Sequence, residues 1–157
     1  MKRPRLVLAV LLALFAAPAE AGDRRLAVLF VDMNEDPSLA ARSCTDALRS
    51  RLASDYTEVT RLDAAGLRRR LDAAPEGSFL AWPASALAPA KARRDGSGFD
   101  ALVLAACRPD ERALDVLVVP AAEGRATLQL RDVALERRAI AWLGAAVLRR
   151  AWVGFSP

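Results

Sequence analysis

The chain has 157 residues, 54% of them apolar, with 23 basic against 19 acidic side chains and no histidine. Lack of histidine excludes most metal sites and the Ser-His and Cys-His nucleophile pairs, and no cofactor is expected. The basic residues, nearly all arginine, are interleaved with acids and form no concentrated basic face, which excludes nucleic acid as a partner.

Residues 1–21 carry the marks of a secretory leader. Lys2, Arg3 and Arg5 precede the apolar run LVLAVLLALFAA, and Ala19-Glu20-Ala21 puts small residues at a cleavage position after Ala21. The run is shorter than the roughly 20 apolar residues a spanning helix needs. The alternative, an uncleaved anchor, has that length against it. No cysteine near the cleavage position invites a lipid. A periplasmic or secreted domain over 22–157 is therefore expected, without stable membrane insertion. Losing Lys2, Arg3, Arg5 and Glu20 with the leader also lowers the net charge of +4.

The run LAVLFVD (26–32) is continuously apolar until its final Asp, the pattern of a strand buried on both faces, and is read as the central strand. The turn after it, with Asp32, Asn34 and Asp36, begins like a calcium loop. Such a loop needs Gly at its sixth position and Glu at its twelfth, where this chain has Pro37 and Ser43. Strand-end and helix-cap chemistry accounts for the turn better, with Asp36 or Ser38 as the cap and Pro37 in the first turn. In LAARSCTDALRSRLA (39–53) the positions Ala41, Cys44, Leu48 and Leu52 make one buried stripe, with Arg42, Asp46 and Arg49 elsewhere.

YTEVT (56–60) alternates in polarity and suits a sheet edge. Asp63 caps a second helix, with Leu62 packing on Leu67 as a staple and Arg68, Arg69 and Arg70 facing water. Residues 75–98 are broken by prolines and glycines into an irregular connection, with room for a short strand or turn at FLAW (79–82) and a short helix near ALAPAKARR. FDALVLAAC (99–107), RALDVLVV (112–119) and RATLQLR (125–131) are three further strands joined by hairpin-length turns. Asp110, Glu111 and Asp115 belong to those turns, and Ser85 with Lys91 makes no S-x-x-K motif. Asp132 caps a final helix, on which Ile140, Leu143, Val147 and Ala151 form the buried stripe and Trp142 lies opposite, near Arg138 and Arg149.

The order β-α-β-α-(α)-β-β-β-α predicts an α+β fold, a mixed sheet covered by helices on one or both faces. LAVLFVD with its acidic turn, LAARSCTDALRSRL, YTEVTRLDAAGLRRRL, ARRDGSGFDALVLA and the hairpin RALDVLVVPAAEGRATL together resemble the amino-terminal domain of TolB and its relatives, the CsgG/LpoB-type periplasmic domains. The likeness spans nearly all of 26–152. No β-propeller segment follows, so a complete TolB is not expected, and the insertions of the pore-forming relative are missing. The resemblance implies partner binding in the envelope without catalysis.

Cys44 and Cys107 pair as a disulfide if strand 99–107 runs parallel to and beside 26–32; otherwise they are two buried thiols. Two surfaces compete for function. Arg138, Trp142 and Arg149, joined by Trp152 and Phe155, have the composition of a protein-binding hot spot, with an envelope protein as partner, unless the tail folds back over the rings. A cleft at the strand ends near Asp32, Asn34 and Asp36 would instead serve a small-ligand receptor or a hydrolase. A purely structural domain is the third reading.

Overall fold

The computed structural model describes residues 25–35, 38–53, 57–91, 98–122 and 126–151. The leader, Asp36, Trp152 and Phe155 lie outside them. The elements are β1 (Leu26–Asp32), α1 (Leu39–Leu52), β2 (Thr57–Asp63), α2 (Ala64–Arg70), α3 (Ala84–Leu87), β3 (Ala101–Arg108), β4 (Ala113–Pro120), β5 (Leu128–Ala134) and α4 (Arg137–Ala151). They build an α+β fold around one mixed five-stranded sheet in the order β2-β1-β3-β4-β5. β1 pairs in parallel with both β2 and β3, while β4 and β5 complete an antiparallel meander.

The placement of the strands follows from their composition. β1, β3 and β4 are buried along nearly their whole length, whereas β2 and β5 alternate and occupy the edges. β1 is interior, but the centre belongs to β3, because the β4–β5 meander adds two strands on its far side. Two separate cores result, one on each face. Val28, Phe30, Val103 and Val116 meet Leu48 and Leu52 of α1 and Leu143 and Val147 of α4. Leu29, Val31, Leu102 and Leu117 meet Leu67 of α2, Leu71, Leu80, Trp82 and Leu87. Each such side chain removed from water contributes roughly 1.5–3 kcal/mol.

The stripe on α1 is buried as its spacing predicts, with Ser38 as the cap: its hydroxyl accepts the Ala41 N–H at 3.2 Å. Asp63 caps α2 by accepting the Gly66 N–H at 2.6 Å, and Leu62 packs on the same core as Leu67. Of the strand or turn expected at FLAW the turn forms: residues 79–81 make a single 3₁₀ turn, and the short helix α3 follows. β2 continues past residue 60 to Asp63.

Asp132 does not cap the last helix. β5 runs on to Ala134, and the first helical bond of α4 joins the Ile140 N–H to the Glu136 carbonyl at 2.9 Å. Asp132 sits at a bulge, where the register shifts between Leu114 and Val116 of β4, and its φ of 56° is left-handed. Its N–H donates to Asp115 Oδ1 at 3.1 Å and its carboxylate accepts from Arg108, so the residue a local reading assigns to a cap anchors a bulge.

Candidate functional site

The connection leaving β1 carries α1 to one face of the sheet, and the one leaving β2 carries α2 and residues 77–82 to the other. The two diverge at the carboxyl ends of the parallel strands, which opens a crevice where strand order reverses. A cleft of about 1040 Å³ lies there, with Asp32 to Glu35 on its floor, Arg42 on the α1 side, and Arg68, Phe79 and Trp82 on the α2 side.

The predicted floor residues have inward roles. Asp32, only 8% exposed, accepts from Asn34 N–H at 3.0 Å, Asn34 Nδ2 at 2.5 Å, Thr45 Oγ1 at 3.0 Å and Arg61 at 3.4 Å. Asn34 Oδ1 accepts the Cys107 N–H at 2.7 Å, which joins the turn after β1 to the end of β3. Asp32 and Asn34 therefore hold the turn shut. Arg61, at the end of edge strand β2, reaches over both Asp32 and Asp46, each at 3.4 Å.

Cys44 and Cys107 form a disulfide with their Cα atoms 5.9 Å apart. The condition that the sequence sets is met: β3 lies parallel to β1 and beside it. Cystines persist in oxidising compartments, so the bond fits an extracytoplasmic location. No helix among the described residues is long and apolar enough to cross a membrane.

The cleft contains residues that sequence reasoning set elsewhere. Arg68 belongs to a triple-arginine run read as a solvated face; it is exposed, as that reading expects, and it also borders the cleft, whose lining does not include Arg69 and Arg70. Arg42, read only as lying off the buried stripe of α1, lines the opposite wall. The signal that finds them is position: one follows the carboxyl end of β1 and the other that of β2, where parallel sheets place ligands.

The second predicted surface is present in part. Trp142 is 52% exposed on the outer face of α4, between Arg138 and Arg149 along the helix, while Ile140, Leu143, Val147 and Ala151 are buried beneath it. Arg149 Nε donates to the Ala145 carbonyl at 3.4 Å. Between α1 and α4 lies a shallower groove of about 670 Å³ along Ser43, Ala47 and Ile140.

Two further charged sites are structural. Arg108 binds Glu111 at 2.5 Å, Asp115 at 3.1 Å, and Asp132, closing the β3–β4 hairpin onto the bulge. The hydrogen bond to Asp132, opposed by desolvation and aided by the charges of Asp115, Asp132 and Glu111, holds this guanidinium above its ordinary pKa. Lys91 donates to the Pro120 carbonyl at 3.3 Å, and burial pushes its ammonium below the usual lysine value.

Comparison of the chain with family models, curated proteins and solved structures finds no match. Among the described residues, no group of three or more acidic or cysteine side chains is arranged to hold a metal ion.

Proposed function

We propose that the chain is an exported, non-enzymatic binding module that docks an envelope protein through the outer face of α4. The observation carrying this reading is Trp142, an indole more than half exposed on a helix whose opposite face is fully engaged in the core. Tryptophan and arginine dominate binding hot spots because a large rigid ring and a planar cation lose little entropy on contact. Arg138 lies one turn before Trp142, so the complementary partner surface is an apolar socket rimmed by carboxylates. The resemblance to the TolB amino-terminal domain supports a partner within the envelope.

Crosslinking in cells with wild type and Trp142→Ala, followed by rebinding of the captured protein in purified form, tests the reading. The expected result is one partner lost from the variant, with affinity reduced about tenfold or more while the melting temperature holds. Equal capture and equal affinity for both forms would overturn it.

A further inference from the structure

We propose that the cleft at the carboxyl ends of β1 and β2 is a binding site for a small organic anion, its carboxylate or phosphate gripped by Arg42 and Arg68 and its apolar part resting on Phe79.

Some charges on the walls are engaged within the protein and others are not. Among the described residues, three carboxylates and three guanidiniums line the cleft: Asp32, Glu35 and Asp63 against Arg42, Arg61 and Arg68. Asp32 is saturated by Asn34, Thr45 and Arg61. One oxygen of Asp63 is held by the N–H that starts α2. Arg61 is divided between Asp32 and Asp46. Arg42 and Arg68 have no ion-pair partner among the described residues, and of the cleft carboxylates Glu35 and Asp63, both exposed, likewise have none. The described lining sums to zero charge, and Arg42 and Arg68 are its two guanidiniums free of an ion pair.

Geometry sets these two guanidiniums apart from the carboxylates. Arg42 projects from α1, on one face of the sheet, and Arg68 from α2, on the other, so two forks border the mouth of one crevice from opposite sides. Guanidinium forks match the planar oxygens of carboxylates and phosphates. Half-buried Phe79 and the edge of buried Trp82 line the same wall as Arg68, which supplies apolar contact for a ligand larger than an inorganic ion. A volume near 1040 Å³ is at the upper end of small-molecule sites. The rigid floor is already made by the Asp32–Asn34–Cys107 clamp, so occupancy needs no rearrangement of the strand ends.

Phenyl phosphate and benzoate are the probes, with neutral benzyl alcohol as control, titrated into the purified protein and followed by amide shifts in two-dimensional NMR. The expected result is shifts at Asn34, Glu35, Arg42 and Ser78 for one or both anions. Arg42→Ala/Arg68→Ala should weaken binding at least about tenfold, since the loss of even one of the two arginines' charge-assisted hydrogen bonds amounts to that. Glu35→Gln should tighten it, and Trp142→Ala should leave it unchanged, which separates this site from the docking face. Whichever anion binds more tightly identifies the head group. Both arginine side chains are exposed and form no ion pair among the described residues, so the double variant should keep its melting temperature; if it does not, each single variant should still show a several-fold loss. No binding of either anion, equal binding of benzyl alcohol, or undiminished binding to the arginine variants would overturn the proposal.

Discussion

Asn34 engages its whole side-chain amide inside the protein. Its Oδ1 takes the Cys107 N–H, and its Nδ2 reaches Asp32 Oδ1 and, at 3.3 Å, the Ala41 carbonyl. Alanine at this position strands a partly buried N–H at the end of β3 and removes a donor from buried Asp32. The expected cost is about 2 kcal/mol, read as a fall in the urea midpoint at unchanged slope. A loss below about 0.5 kcal/mol would show that the turn holds itself without the clamp. Lys91 gives the pH-dependent counterpart. Burial lowers its folded pKa, so unfolding takes up a proton between the folded and unfolded values. Its contribution to stability is complete above the unfolded lysine value and is lost as pH falls through the folded one. The stability of wild type minus that of Lys91→Met should therefore grow as pH is raised toward the ordinary lysine range. Chemical denaturation at a series of alkaline pH values measures it, and a difference independent of pH would mean that the ammonium is fully hydrated in the fold.

Two glycines show how an element's packing overrides its propensity. Alanine favours a helix over glycine by about 1 kcal/mol, which predicts a gain at both Gly66 and Gly144. In α2 a methyl on Gly66 would lie 2.5 Å from Leu62 Cδ1, 2.8 Å from its Cγ and 2.9 Å from the capping oxygen of Asp63. Leu62 is packed on the core and Asp63 is fixed by its cap, so Gly66→Ala should destabilise by roughly 1–3 kcal/mol. In α4 the obstacle to Gly144→Ala is Cγ of Arg51 at 3.0 Å, and that exposed side chain can swing away. Gly144→Ala should be neutral or stabilising by up to about 1 kcal/mol. Thermal melts of the two variants should move in opposite directions, or at least differ clearly; equal shifts would refute the distinction. The same contrast between local and distant causes explains what the sequence discloses. The stripes on α1 and α4 are legible because helical spacing is local, as is the edge character of β2. Asp132 misleads because an Asp before an apolar helix looks like a cap, whereas its conformation is set by a bulge against β4 and by Arg108 across the hairpin. Arg42 and Arg68 were invisible as a pair because only the strand order brings α1 and α2 to one crevice.

For the molecule as a whole, the disulfide matters because it ties the helix layer to the sheet. Cys44 lies on α1 and Cys107 at the carboxyl end of central strand β3, 63 residues apart in sequence. Closing a loop of that size contributes about 4 kcal/mol in the chain-entropy model, against a typical domain stability of roughly 5–15 kcal/mol. The bond also lies beside the second tie between these layers, since Thr45 next to Cys44 binds Asp32 and Cys107 itself donates to Asn34. Removing the bond should therefore loosen α1 before the strands. Cys44→Ser/Cys107→Ser is expected to lose about 4 kcal/mol in urea unfolding. Reductant should bring wild type down to the same level and leave the variant unmoved. Hydrogen exchange should accelerate first in α1, because its remaining attachments are the stripe of Ala41, Leu48 and Leu52 and the Thr45–Asp32 hydrogen bond, while β3 keeps ladder partners on both sides. Loss of protection in β3 and β4 ahead of α1 would mean that the sulfur bridge braces the sheet itself.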